Sequence, residues 1–163
     1  ADLGAMSDSS KAIMILMMLI GGSPGSTAGG MKTTTIAVLI LNAFATFGRE
    51  PETEVFGRRF DNTVVKNAAT IAILYFFLFF AGGIAISQIE HVALSDCLFE
   101  TASAVGTAGL TLGITTELGL VSHLILVVLM YLGRVGGLTL IYAAISVKIQ
   151  SGAKRPLDKI TVG

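Results

Sequence analysis

The sequence predicts an all-α integral membrane protein in which spanning helices alternate with short helices that enter the bilayer and end in glycine-rich loops. Three observations support this fold class. Hydrophobic residues make up 53% of the 163 residues and charged residues 13%, whereas soluble domains carry about 25% charged residues. Several segments with little or no charge are long enough to cross a bilayer. Two shorter apolar stretches each lead into a small-residue loop centred on glycine.

The elements are placed by length, because a helix needs about 20 apolar residues to cross the hydrocarbon core of a bilayer. Residues 33–48, joined to residues 28–31, form the first predicted span. Residues 67–89 carry no charge and are the clearest span, and residues 118–147 form a third that only Arg134 interrupts. Residues 12–20 and 97–105 are apolar but too short to cross, so we interpret them as helices that enter the membrane and turn back.

Lysine and arginine are concentrated in two places. Arg49, Arg58, Arg59 and Lys66 lie between the first two spans, and four more basic residues follow residue 147. Residues 87–122 contain no lysine or arginine. Because positive residues accumulate on the cytoplasmic side of a membrane, we predict a multi-pass protein of the plasma membrane. Its linker, residues 49–62, and its basic tail, residues 149–163, lie in the cytoplasm, and the loop 87–122 faces outside.

The two glycine-rich loops predict an ion pathway of the potassium-channel type. Non-helical backbone at membrane depth is tolerated where it is buried in protein or lines a water-filled cavity, and backbone carbonyls there can replace the hydration shell of a cation. The negative end of each short helix would point at the same place. The first predicted filter loop consists of Ser23, Pro24, Gly25, Ser26 and Thr27, and the second of Ala104, Val105, Gly106, Thr107 and Ala108.

The first loop has two other interpretations. A phosphate-binding loop needs the pattern G-x-x-x-x-G-K-[ST]; here Gly25 and Gly30 have the correct spacing, but Met31 follows and Lys32 comes one position late. The alternative function is a polytopic membrane assembly protein or membrane enzyme that uses the glycine loops for helix packing. We expect no enzymatic activity, because the sequence contains one cysteine, two distant histidines and no evident pair of catalytic carboxylates.

Three motifs occur in the order GGSPGSTAGGMKTTT, FETASAVGTAGLTLGITTEL and MYLGRVGGLTL. With them, the chain resembles the Trk/Ktr/HKT superfamily of potassium transporters, most of all the KtrB-type pore subunits. The resemblance implies four membrane–pore–membrane repeats around one pore, of which this chain would supply the end of the third and all of the fourth. Residues 1–48 would hold a pore helix, filter loop and inner helix, and residues 63–148 a complete repeat. Gly25 and Gly106 would match filter glycines.

The resemblance also implies what the protein carries and contacts. The transported ion would be K⁺, with Na⁺ as a second candidate and no covalent cofactor. The pore subunits would form a homodimer above a cytosolic ring of nucleotide-binding regulatory subunits, and the basic tail could in addition contact anionic lipid. The formal net charge is zero, which argues against a nucleic-acid partner.

Arg134 is the candidate gate residue. A charge at mid-membrane costs about 2.5–3.5 kcal/mol on insertion scales and is expected to face the protein interior, where a structural ion pair is the simpler role. The resemblance implies an arginine that faces an interrupted segment of the third-repeat inner helix. The best match for that segment is residues 41–46, where Asn42 and Thr46 could accept hydrogen bonds from the guanidinium.

The sequence leaves two further roles open. Glu100, inside the second short helix, could support the filter loop through hydrogen bonds to its backbone or could attract cations by its charge. Lys32, just after the first loop, could pair with an acidic residue or act functionally. For Lys32 we expect an acidic partner, and for Glu100 both interpretations remain open.

Overall fold

The computed structural model describes residues 3–48, 54–55 and 58–136. The described part is helical apart from two short strands. In chain order the helices are α1 (Asp8–Leu19), α2 (Thr33–Phe47), α3 (Asn62–Glu90), α4 (Leu94–Gly106) and α5 (Leu120–Val135), with one 3₁₀ turn at Ile114–Glu117. The strands β1 (Glu54–Val55) and β2 (Arg58–Arg59) form an antiparallel pair in the linker. The all-helical prediction is therefore confirmed except for this pair.

Helix α3 has the length and composition to cross a membrane. It is 29 residues long, which is about 43 Å at 1.5 Å per residue. The Asp61 side chain caps its first turn by accepting from the Thr63 N–H at 3.2 Å, and His91 ends it in a left-handed conformation. Helices α2 and α5 are also apolar, at 15 and 16 residues. The predicted third span extends to residue 147, and its part after Gly136 lies outside the described residues.

Helix α4 is the centre of the described part. It has 13 residues, and every residue from Phe99 to Gly106 is buried. Helices α1, α3 and α5 all pack against it. A helix that is buried on all sides, yet too short to span, needs neighbours around its whole circumference. These three helices provide such neighbours, as expected for the short second apolar stretch.

Large apolar side chains cover the outer faces of the longer helices. Ile73 and Phe77 of α3 are 70% and 66% exposed, and Leu120 of α5 is 74% exposed. Apolar patches of this extent are unusual on soluble monomers, where they mark an interaction with a membrane or another protein. The outer surface of the chain therefore fits an apolar environment.

Helices α1 and α2 follow one interrupted path. The Gly21 N–H donates to the Met31 carbonyl at 2.6 Å, and the Met31 N–H donates to the Leu19 carbonyl at 3.2 Å. Ile20 and Met31 thereby form a parallel bridge. The chain leaves the end of α1, forms a loop and comes back beside Ile20, where its two passes run in the same direction. We call residues 21–30 the glycine loop. The two helices contain 12 and 15 residues, together about 40 Å of helix.

The interruption does not occur where we expected it. Residues 41–46 lie inside α2, which is helical without a break, and the Thr46 hydroxyl donates to the Asn42 carbonyl within the same helix at 2.8 Å. The expectation was wrong because this stretch contains no glycine or proline, the residues that most readily break a helix. Those residues are concentrated in the glycine loop, where the helix is in fact interrupted.

Candidate functional site

The segment after α4 leads back to the end of α3. Helix α4 ends when Thr107 adopts a left-handed conformation, with the Ala108 N–H bonded to the Ser103 carbonyl at 2.9 Å. Twelve residues later the Gly119 N–H donates to a Glu90 carboxylate oxygen at 2.8 Å, and Glu90 is the last residue of α3. Because α4 also begins just after α3 ends, the chain returns to the level at which it started. We call residues 107–119 the return segment.

Two side chains on one face of α4 hold the return segment. The Ser103 hydroxyl accepts from the Leu110 N–H at 2.8 Å. Glu100 accepts from the Leu112 N–H at 3.0 Å and from the hydroxyls of Thr111 and Thr115 at 2.6 and 2.7 Å. Residues three apart share a helix face, so the side chains of Ser103 and Glu100 both face the return segment.

The glycines at this site have different roles. Gly106 is buried in the last turn of α4, and a Cβ there would overlap the carbonyl oxygen of Met18 at the end of α1; its missing side chain allows the two helix ends to touch. Gly109 lies in the return segment with a φ of +76° and open space around it, so its conformation needs glycine. The second predicted filter loop is thus partly helical: Ala104, Val105 and Gly106 belong to α4.

The glycine loop lies against the end of α5. The Arg134 guanidinium donates to the Thr27 carbonyl, and the Gly30 N–H donates to the Gly133 carbonyl at 3.3 Å. The Tyr75 hydroxyl of α3 reaches the same Gly133 carbonyl at 3.3 Å. The loop is therefore fixed to α5 beside the residue that we predicted for the gate, although through backbone acceptors rather than through Asn42 and Thr46.

Lys32 holds the glycine loop from its other end. Its ammonium group donates to the Ala28 carbonyl at 2.7 Å and to the Ser26 carbonyl at 3.3 Å. The expected acidic partner is absent from its described hydrogen bonds, because loop carbonyls have taken that place. Arg134 and Lys32 together bind three successive carbonyls of one short loop, at Ser26, Thr27 and Ala28.

One hydrogen bond connects the two loops. The Gly29 N–H donates to the Thr107 hydroxyl at 2.8 Å, so the glycine loop contacts the first residue of the return segment. At the opposite ends of α1 and α4, Lys11 and Asp96 form an ion pair at 3.2 Å. Helices α1 and α4 therefore run side by side in the same direction, with contacts at both ends.

The two predicted filter pentapeptides are not equivalent in the structure. Ser23, Pro24, Gly25, Ser26 and Thr27 are all exposed and lie in the excursion between α1 and α2. The second pentapeptide straddles the end of α4, and only Thr107 and Ala108 belong to the return segment. Sequence reasoning missed Gly109; the second glycine three residues after Gly106 was a signal, but a positive φ cannot be read from a sequence.

Comparison with known proteins adds the family. The family described as "TrkH: Cation transport protein" matches residues 1–153. The chain is 32% identical to the Ktr system potassium uptake protein B of Bacillus subtilis over 99% of its own length. It is 34% identical to the potassium/sodium uptake protein NtpJ of Enterococcus hirae over 97%, and 38% identical to the Ktr system potassium uptake protein B of Vibrio alginolyticus over 86%.

The chain covers only part of these relatives. It spans 36% of the length of the first two and 31% of the third. The match nevertheless extends over nearly the whole chain and includes the glycine loop, α4 with its return segment, and Arg134. The chain therefore belongs to the TrkH family of cation transport proteins.

Proposed function

We propose that this chain forms part of the pore of a potassium uptake protein, with α4 and the return segment as one element of its ion filter. The observation that carries the proposal is the path of the return segment, which leaves the end of a buried short helix and goes back to the level of its start. Potassium is the first candidate ion because two of the relatives are named potassium uptake proteins. Sodium is the second, since another is named a potassium/sodium uptake protein.

The proposed filter is centred on residues 107–110. Ala108 and Gly109 are exposed, so their carbonyl groups can face an ion pathway, and neutral oxygens suit an alkali cation that must bind and then leave. The negative end of the α4 dipole lies at the same place. In this proposal Ala104, Val105 and Gly106 support the filter as the last turn of α4, and Thr107 and Ala108 keep their predicted role within it.

We further propose that the glycine loop is the gate of this pathway rather than a second filter. The parallel bridge between Ile20 and Met31 favours this role, because α2 begins beside the end of α1. The return segment differs, since it carries the chain back to the level at which α4 starts before α5 begins. Ser23, Pro24, Gly25, Ser26 and Thr27 would then move with the gate. Arg134 would hold the loop closed through Thr27, and its positive charge would oppose a cation at that level.

The assembly around this part is proposed from the resemblance. The remaining repeats of a full-length transporter would complete the filter, two pore subunits would form a homodimer, and a cytosolic ring of nucleotide-binding subunits would control the gate. The linker and the basic tail would lie on the cytoplasmic side of the plasma membrane, where that ring could reach them. No catalytic role is proposed for any residue of the chain.

The filter proposal is tested by substituting Gly109. In the full-length transporter that contains this chain, Gly109→Ser should lower the preference for K⁺ over Na⁺, because a side chain disfavours a φ of +76° and moves the neighbouring carbonyls. Uptake of both ions would be measured in cells that lack other potassium uptake systems. Gly136→Ser is the matched control, since Gly136 also has a positive φ, +87°, and open space around it, but follows the end of α5, outside the return segment. Equal ion preference in the wild type and Gly109→Ser would reject the filter assignment.

A further inference from the structure

Glu100 is a buried carboxylate in the middle of α4, with 4% of its surface exposed. Both of its oxygens accept hydrogen bonds from the return segment: Oε1 from the Thr111 hydroxyl and the Leu112 N–H, and Oε2 from the Thr115 hydroxyl. A buried acidic side chain carries a large desolvation cost, which hydrogen bonds must offset. Three donors from five consecutive residues meet that requirement here.

The hydrogen bonds of Glu100 act next to the proposed filter. Ser103 fixes the N–H of Leu110 and Glu100 fixes the N–H of Leu112, while the Ala108 N–H is bonded to the end of α4. Residues 108, 110 and 112 are therefore all tied to α4. Each of these N–H groups shares a rigid peptide plane with the carbonyl of the residue before it. The three anchors therefore fix the orientation of the carbonyls of residues 107, 109 and 111.

We infer that Glu100 is a positioning residue for ion selectivity, which holds the filter carbonyls at the separation that favours one cation over another. This inference rests on the proposed function of the return segment. It also answers the question that the sequence left open. A role for Glu100 in attracting cations by charge would require a carboxylate that faces the pathway, whereas this carboxylate is enclosed and bonded to the backbone and hydroxyls of the segment it holds.

The two roles are separated by Glu100→Gln and Glu100→Ala in the full-length transporter. Glutamine keeps an oxygen for the Leu112 N–H and the Thr111 hydroxyl, and its amide can donate to the Thr115 oxygen, because a hydroxyl both donates and accepts. Alanine removes all three hydrogen bonds that Glu100 accepts and leaves those of Ser103 in place. For a positioning residue we expect Glu100→Gln to keep the wild-type K⁺ over Na⁺ preference within about twofold, and Glu100→Ala to lose about tenfold or more, since each lost hydrogen bond is worth roughly a factor of five.

Thr111→Val and Glu117→Ala complete the experiment. Thr111→Val removes one donor to Glu100 and leaves the acid in place. The loss of one hydrogen bond should lower the ion preference by an intermediate amount, about threefold to fivefold. This variant tests the inference if Glu100→Ala fails to insert into the membrane. Glu117 is an exposed acid on the same segment, and Glu117→Ala should leave the ion preference unchanged. Uptake of K⁺ and Na⁺ would be measured across a range of concentrations, with the amount of inserted protein determined for each variant.

The outcomes test the role of Glu100 separately from the proposed filter role of the return segment. Equal loss in Glu100→Gln and Glu100→Ala, or a raised KM for K⁺ in both with the ion preference intact, would assign Glu100 a charge role and overturn the inference. Wild-type preference in Glu100→Ala and Thr111→Val, together with a loss in Gly109→Ser, would reject only the role of Glu100. If Gly109→Ser also keeps the wild-type preference, the filter proposal itself fails.

Discussion

At the scale of single residues, the guanidinium of Arg134 bonds to the backbone carbonyl of Thr27. A carbonyl satisfies the donor without neutralising its charge, so Arg134 can tie the glycine loop to α5 and still act on an approaching cation as a full positive charge. Lys32 has the same kind of partners, the carbonyls of Ser26 and Ala28. Two cationic side chains therefore hold one loop by its backbone carbonyls. Because these contacts need no side chain from the loop, its residues can be small.

Replacing Arg134 tests the gate. Arg134→Gln should raise the maximal K⁺ flux of the full-length transporter about tenfold, because a hydrogen bond from a charged donor is worth about 1.5–3 kcal/mol and the repulsive charge disappears with it. Ion preference should change little, since Arg134 does not contact the return segment among the described hydrogen bonds. The measurement is initial K⁺ uptake at saturating concentration, with and without the proposed regulatory subunits.

Arg134→Lys is the matched control, because it keeps the charge and loses the planar fork of donors. It should raise the flux less than glutamine does. If properly inserted Arg134→Gln protein has wild-type flux, Arg134 is a structural residue and the gate assignment is contradicted.

At the scale of secondary-structure elements, a single hydrogen bond joins the glycine loop to the return segment. The Gly29 N–H donates to the Thr107 hydroxyl at 2.8 Å, and Gly29 is buried, so no water can easily replace this acceptor. Thr107 is also the residue at which α4 ends and the return segment begins. A movement of the proposed gate would therefore displace Thr107, the first residue of the proposed filter, through this hydrogen bond.

Substitution of Thr107 tests this connection. Thr107→Val keeps the shape of the side chain but leaves the buried Gly29 N–H without its acceptor, at a cost of about 1–3 kcal/mol. We expect both the flux and the K⁺ over Na⁺ preference to change together in this variant, as measured by uptake of the two ions. Thr107→Ser keeps the hydroxyl and should behave like the wild type. A change in flux alone would show that the loop and the filter move independently.

The same elements show how far the sequence could predict the site. Patterns that depend on composition were predictable: the long apolar α3, the buried short α4, the glycine loop and the isolated charge at Arg134. The partner of Arg134 was not, because every residue has a backbone carbonyl and the sequence does not indicate which one is exposed to the guanidinium. The sequence alone does not distinguish Gly106, which is required by the close contact between α4 and α1, from Gly109, which is required by its positive φ.

At the scale of the whole molecule, large apolar side chains are exposed on several helices. Phe44 and Phe47 of α2 are 69% and 85% exposed, and Met17 of α1 is 68% exposed. These side chains lie on the elements next to the glycine loop, whereas those of α4 are enclosed. The chain spans about a third of the length of its relatives. In the proposed assembly, the remaining repeats of a full-length transporter would cover these surfaces, and lipid would contact the outer faces of α3 and α5.

The orientation of this assembly in the membrane can be measured with single cysteines. We predict that Glu117→Cys, in the exposed 3₁₀ turn of the return segment, reacts with a membrane-impermeant maleimide added to intact cells. Glu54→Cys, in the linker strand β1, should react only after the membrane is opened, because α3 lies between the two positions and is long enough to cross the bilayer. The native Cys97 is buried in α4 and should contribute little background, which the unsubstituted protein measures directly. Labelling of Glu54→Cys from outside, with Glu117→Cys protected, would reverse the topology. It would place the return segment on the cytoplasmic side, and the filter and gate assignments would then have to be exchanged or abandoned together.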